Sequence, residues 1–277
     1  MPGRCTKLKR PRLLIVLLVF VCFISAPLEK EATFFSSVDK DATAVVYACV
    51  TSPQTYGNRG KWVQMTWSQA VEEPDRFLFV SNKMLPSMFS IDSEVWLNPE
   101  NQTADWGGAQ ALFISVILSL PLKMGEWLML IDDDAFAQVH SLKDLVNSLD
   151  PSLPALYGQI ECSGNLCGGG GALLSPSLVR TIRSQGKIKS IDVRGEPYDV
   201  FLSRKMQELG LSMIHHEGFR GQPPSHYKNG YDHPLSQSPI TFHYLDAEHQ
   251  KRDNERYRCG ACQEIYTEVY HEYYKIT

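Results

Sequence analysis

Hydrophobic positions along this chain fall into two alternating patterns. TAVVYACVT at 43–51 and DRFLFVSN at 75–82 are continuous apolar, β-branched and aromatic runs that read as strands. Between them, Gly60 to Val71 spaces Trp62, Val63, Met65 and Trp67 as the apolar stripe of an amphipathic helix. A second helix is expected from about Gly107 to Leu120. It precedes a strand in which Leu128, Met129, Leu130 and Ile131 form a stretch buried on both faces. Ser141 with Asp144 three residues later has the form of a capping box opening a helix to about Leu149. ALYGQI at 155–160 is a further strand, and Ser175-Pro176 caps a helix that Gly186 closes. Pro197 opens a helix over YDVFLSRKMQELG that Gly210 ends, and LSMIHHE and ITFHYL are the last strands. Strand–helix alternation predicts an α/β fold with a mainly parallel sheet, whose ligands gather at the carboxyl ends of the strands.

The N-terminus breaks this pattern. Residues 13–26, LLIVLLVFVCFISA, are uncharged and follow five basic residues, Arg4, Lys7, Lys9, Arg10 and Arg12. A span of the bilayer core needs about 20 residues and a secretory h-region about 7 to 15, so the run fits an anchor or a cleaved signal. Pro27, directly after Ser25-Ala26, suits a cleavage site poorly, and the reading adopted is an uncleaved signal-anchor over 13–27. The basic tail 1–12 then stays cytosolic, 28–42 forms a stem, and the domain at 43–250 faces the lumen, with 251–277 as a C-terminal extension. The chain of 277 residues carries a net charge of −4; removing the five N-terminal cations leaves 22 basic against 31 acidic residues. Such a domain is a poor match for nucleic acid.

Seven cysteines fit an oxidising lumen. Cys5 and Cys22 belong to the tail and anchor, leaving Cys49, Cys162, Cys167, Cys259 and Cys262, an odd number. Cys162 with Cys167, and Cys259 with Cys262, could each close a small disulfide loop, but spacing does not define connectivity. Asn101-Gln102-Thr103 is a glycosylation sequon that fits a lumenal surface loop.

The candidate chemistry begins at Asp132, Asp133 and Asp134, which end the apolar strand from Trp127. Three adjacent carboxylates repel one another and need a counter-charge. Alternation along an extended chain turns Asp132 and Asp134 one way and Asp133 the other. Two hard oxygen ligands at a strand end suit Mg²⁺ or Mn²⁺, and a diphosphate would fill further coordination positions. The glycines of CGGGGALLS, Gly168 to Gly171, let backbone N–H groups approach a ligand, with Gly169 and Gly170 central, or simply permit close packing. His243, mid-strand in ITFHYLD, reads either as a satisfied core histidine or as a third metal ligand. Asp199 is either an N-terminal helix charge or a general base.

The order of VTSPQTYGNRGKWVQMTW, DRFLFVSN, EWLMLIDDDAF, GQI, CGGGGALLSP, YDVFLSRKMQELG and ITFHYLD resembles the Fringe-like and core-1 β1,3-galactosyltransferase-like glycosyltransferases of family 31. The resemblance spans about residues 44 to 248. It implies a single-pass type II Golgi enzyme with a GT-A fold, a Rossmann-like nucleotide-sugar-binding α/β sandwich. It further implies Mn²⁺, a UDP-sugar donor and an inverting β1,3 transfer of galactose, or N-acetylglucosamine, to a glycan or glycoprotein acceptor. Carried over residue by residue, Asp132, Asp134 and His243 become metal ligands, Asp133 lies near the donor ribose, and Asp199 is the base. Thr51 and Arg59 fall where the first strand and its turn meet the nucleotide. The chain departs from the family at Tyr198, which replaces an acid, and at Trp106–Ala109, which lacks a lysine. Gly218 to Pro239 also lacks the aromatic-rich acceptor segment, so acceptor identity does not carry over. A homodimer is left open. Two other readings stand beside this one: a non-enzymatic lumenal binding protein or chaperone of the same fold, and a calcium-dependent lectin.

Overall fold

The computed structural model describes residues 43–83, 94–97, 106–162, 164–185, 195–222 and 239–243. The anchor at 13–27, the stem, the sequon at Asn101, Gly186, Cys259, Cys262 and the C-terminal extension lie outside the described residues. Among the described residues, no helix is long and apolar enough to cross a membrane.

A seven-stranded sheet organises the domain. Its strands are β1 (Val45–Val50), β2 (Arg76–Ser81), β3 (Glu94–Leu97), β4 (Trp127–Asp132), β6 (Leu156–Gly158), β9 (Ala172–Leu174) and β10 (Ile214–His215), in the spatial order β10-β6-β9-β4-β1-β2-β3. β1 pairs in parallel with β2 and β4, β2 with β3, and β6 with β10. β9 enters antiparallel between β4 and β6, so the sheet is mixed but mostly parallel. Two short ladders lie outside it: β5 (Phe136–Ala137) with β11 (Thr241–Phe242), and β7 (Ile160–Cys162) with β8 (Asn165–Leu166).

Alternation of side chains along β1 and β4 feeds two cores. Val46, Ala48, Val50, Leu128 and Leu130 pack against α2 (Trp106–Ser119), α4 (Pro176–Ser184) and α5 (Tyr198–Glu208). Val45, Tyr47, Cys49, Trp127, Met129 and Ile131 pack on the other face against Val63, Trp67 and α3 (Val139–Asn147). With both faces covered, the central strands read as unbroken apolar runs. Arg183 ties α4 to the C-terminal end of α2, donating from Nε to the Ile117 carbonyl at 2.7 Å and from Nη2 to that of Leu120 at 2.8 Å.

Three sequence expectations change, and three short strands are additions to them. The helix expected over 60–71 is broken into a wide π-type turn at Tyr56–Gly60, α1 (Lys61–Met65) and a 3-10 turn at Trp67–Ala70. Thr66 causes the break: its hydroxyl bonds back to the Trp62 carbonyl at 2.6 Å while its backbone leaves helical angles. Ser141 lies inside α3, which starts two residues earlier, because the Gln138 N–H donates to the Ile240 carbonyl at 2.7 Å and fixes the entry. ALYGQI is two strands, β6 and β7, parted at Gln159. β3, β5 and β8, each four residues or fewer, carry too little pattern to stand out. Ser175 does cap α4, accepting from the Leu178 N–H at 3.1 Å. α5 ends in a Schellman motif: Gly210, at φ +66°, donates to Gln207, and the Leu211 N–H reaches back to Met206.

Candidate active site

The site is assembled at the carboxyl ends of β1 and β4 by their register. Val50 lies beside Asp132, which brings Thr51, the residue just after β1, alongside Asp133. Asp133 turns to that side and accepts from the Thr51 hydroxyl at 2.7 Å and from the Thr55 hydroxyl at 2.5 Å. Asp132 and Asp134 turn the other way. Trp67 holds the chain just past the triplet, its Nε1 donating to the Ala135 carbonyl at 3.2 Å.

His243 comes from the opposite end of the domain. The β5–β11 ladder sets Phe242 against Phe136, so the residue after β11 lands next to the residues before β5. His243 Nε2 lies 3.1 Å from Asp134 Oδ1, and its Nδ1 lies 3.4 Å from the Gly221 carbonyl. One ligand atom from each of Asp132, Asp134 and His243 lies within 4.8 Å of the other two. Two neighbouring ligands of an octahedral ion at about 2.1 Å stand about 3.0 Å apart, so the His243–Asp134 pair has the separation of adjacent ligands.

Charge tells the same story. Burial and the neighbouring Asp134 carboxylate push Asp132 up to about 7. Burial also raises Asp133, against the pull of its two threonine hydrogen bonds. Burial works to raise Asp134 too, but the hydrogen bond and charge of His243, with Arg59, bring it below its ordinary value. For His243, burial favours the neutral ring, yet Asp134 and Asp132 raise it overall. The Arg59 guanidinium, half exposed on its turn, lies 3.3 Å from Asp134 and 3.8 Å from Asp133. Among the described residues, Arg59 is the permanent cation paired with the triplet. With all three carboxylates ionised and His243 neutral, the forms that metal ligation requires, one guanidinium leaves a deficit that a dication would balance.

The glycine run forms the floor of this site. A Cβ on Gly169 would fall 2.2 Å from His243 Nδ1, so the imidazole lies directly on the backbone there. Gly170 lies against the backbone of Arg220 and Gly221, and its carbonyl accepts from Thr241 Oγ1 at 2.5 Å. Gly171, at φ +80°, has Met129 and the Leu130 carbonyl where its Cβ would be. Gly169 and Gly170 therefore seat the histidine and the loop behind it.

Asp199 stands on the same floor, in the first turn of α5. Its Oδ2 accepts from the Gly168 N–H at 3.1 Å and its Oδ1 from the Val200 N–H at 2.8 Å. Tyr198, which replaces an acid of the resembling family, is buried and stacked on Phe113 with ring centroids 4.2 Å apart. Its hydroxyl donates to the Gly168 carbonyl, so consecutive helix residues grip both ends of one glycine. Burial, with Asp132 and Asp199 nearby, keeps that phenol protonated. Asp199 and His243 thus rest on adjacent residues, Gly168 and Gly169, whose Cα atoms are about 3.8 Å apart.

Sequence reasoning missed Thr55 and Gln159. Thr55 had a visible signal in TSPQT, a polar stretch following a buried strand. Cys49 is a buried free thiol, and Cys167 is disulfide-bonded.

Fold and site together define a class. The mixed sheet with acidic residues at its carboxyl edge has the GT-A glycosyltransferase fold: the apo-form glycosyltransferase GlyE of Streptococcus pneumoniae TIGR4 superposes with a TM-score of 0.51 at 14% identity, over 83% of this chain and 63% of that one. Among curated proteins, the chain is 23% identical over 250 residues to a mouse beta-1,3-glucosyltransferase, covering 87% of this chain and 46% of that protein. It is 24% identical over 208 residues to the human beta-1,3-glucosyltransferase, covering 72% and 39% respectively. The chain spans less than half the length of these curated relatives. No protein-family profile matches it.

Proposed function

We propose that this chain is a dication-dependent, inverting β1,3-glycosyltransferase that moves a hexose from a UDP-sugar to a hydroxyl of a glycan or glycoprotein. The observation that carries this reading is the meeting of Asp132, Asp134 and His243 beside Asp199 at the carboxyl edge of a GT-A sheet. The resemblance of the motif order to family 31 supports the β1,3 linkage and the inversion. The mouse and human relatives are named for glucose transfer, so UDP-glucose joins UDP-galactose and UDP-N-acetylglucosamine as a candidate donor. The basic and apolar N-terminus supports a type II anchor, and the resemblance to family 31 supports a Golgi address.

In this reading Asp132, Asp134 and His243 would hold Mn²⁺, which when bound would supply counter-charge to the diphosphate leaving group. Arg59 reaches the diphosphate from its exposed turn, and Asp133 keeps Thr51 and Thr55 in place under the nucleotide. Asp199 takes the proton of the acceptor hydroxyl as its oxygen bonds to the anomeric carbon and the bond to UDP breaks. A single displacement needs one base, and backbone N–H donors from Gly168 and Val200 keep this carboxylate aimed.

The test incubates the full-length protein with radiolabelled UDP-glucose, UDP-galactose and UDP-N-acetylglucosamine over a panel of glycan acceptors, with EDTA and then with Mn²⁺ restored. Transfer or hydrolysis that EDTA stops and Mn²⁺ restores is the expected result. A folded, Mn²⁺-binding protein that turns over none of the three donors would overturn it.

A further inference from the structure

One buried polar side chain, linked through Gly221 to His243, takes no part in the chemistry above. Gln159, 8% exposed, sits at the joint where β6 passes into β7. Its amide oxygen accepts from the Gly221 N–H at 2.6 Å, and its amide nitrogen donates to Glu161 Oε2 at 2.7 Å. These partners settle which end of the amide is which, since an N–H only donates and a carboxylate only accepts. The Gly221 carbonyl faces His243 Nδ1, and it too can only accept. It therefore favours a proton on Nδ1 and leaves Nε2 turned towards Asp134. A metal-binding histidine is commonly fixed in tautomer and orientation by such a second contact.

We propose that Gln159 is a positioning residue for the His243 imidazole, acting through Gly221, with the exposed Glu161 as its outer anchor. Space supports the line as much as hydrogen bonding does. A Cβ at Gly221 would lie 2.8 Å from Gln159 Oε1, so the amide fits against bare backbone. On its other side Gly221 abuts Gly170, next to the glycine that carries the His243 ring. The line of contacts from Glu161 to His243 is thus continuous and leads from solvent to the candidate metal ligands. Its role rests on the dication reading given above.

The experiment measures Mn²⁺ affinity of the full-length protein by calorimetry, and the His243 tautomer by ¹⁵N chemical shifts with diamagnetic Mg²⁺. Gln159→Leu, which can neither donate nor accept, is expected to raise the Mn²⁺ Kd about ten- to a hundredfold and to mix the two tautomers. The exchange Gln159→Glu with Glu161→Gln keeps an acceptor for Gly221 and a donor between the pair, and is expected to restore most of the affinity. A folded Gln159→Leu protein with wild-type Kd and an unmixed tautomer overturns the proposal. If that variant does not fold, Glu161→Ala, altered at an exposed position, decides: a Kd rise towards about tenfold supports the line and an unchanged Kd overturns it. Absence of Mn²⁺ binding by the wild type would instead bring down the dication reading itself.

Discussion

The sharpest consequence of the glycine floor is the behaviour of Gly169→Ala. A Cβ there would lie 2.2, 2.5 and 2.9 Å from His243 Nδ1, Cε1 and Cγ, against the 3.4 Å at which ordinary contact begins. The ring has to retreat by about 1.2 Å, although it is held at Asp134 and Gly221. Metal ligands tolerate about 0.2 Å of misplacement, so the site should lose His243 as a ligand and its Mn²⁺ Kd should rise at least tenfold. Overpacking of this kind costs about 1–3 kcal/mol, or a few degrees of Tm in a domain of this size. Calorimetric Mn²⁺ titration and thermal melts read both effects. Gly57→Ala, where an added Cβ meets nothing within 4 Å, is the matched control. In a His243→Ala background the clash is gone, and Gly169→Ala should cost neither affinity nor Tm. A Gly169→Ala protein that binds Mn²⁺ like the wild type, or one whose penalty persists beside His243→Ala, would refute the reasoning.

Asp199→Asn should lower kcat about 10²- to 10⁴-fold while leaving the Mn²⁺ Kd unchanged, and a parallel loss of metal binding would count against a role as base. The metal-free protein should lose stability as pH rises from 5 to 8. Asp132 titrates near 7 when folded against 3.8 ordinarily, so the fold favours its neutral form. That contribution, at most about 4 kcal/mol, is complete below pH 4 and is gone once pH passes 7. The raised His243 adds to the same fall, whereas the lowered Asp134 contributes stability that is lost only in acid. Melts of Asp132→Asn should show a flatter profile and a higher Tm at pH 8 than the metal-free wild type. Gly210→Ala forces a side chain into φ +66° and should cost about 1–2 kcal/mol in denaturant titrations, with Mn²⁺ affinity untouched.

How much was legible in the sequence depends on what holds each element in place. β1, β2 and β4 were readable because burial on both faces leaves an uninterrupted apolar run. α5 was readable because Pro197 and Gly210 mark its ends with local backbone requirements. The start of α3 was not, since it depends on a hydrogen bond to Ile240, a hundred residues away. β5 and β11 are two residues each and exist only as a pair. In the site, the opposed directions of Asp132 and Asp134 against Asp133 follow from alternation at a strand end. The glycine run was ambiguous for a physical reason: missing Cβ atoms serve a ligand and a neighbouring ring equally well. Here the nearest occupant is the His243 ring, and nothing in residues 168–171 announces that.

The two-residue ladder between β5 and β11 also dictates when the site can exist. Both aspartates are in place about halfway through the chain, but the imidazole that joins them arrives at residue 243, drawn in by Thr241 and Phe242 against Ala137 and Phe136. A nascent polypeptide interrupted between Asp134 and His243 carries the acidic triplet without its imidazole partner. On the proposed dication reading, tight ion capture then separates a chain that has reached His243 from one that has not.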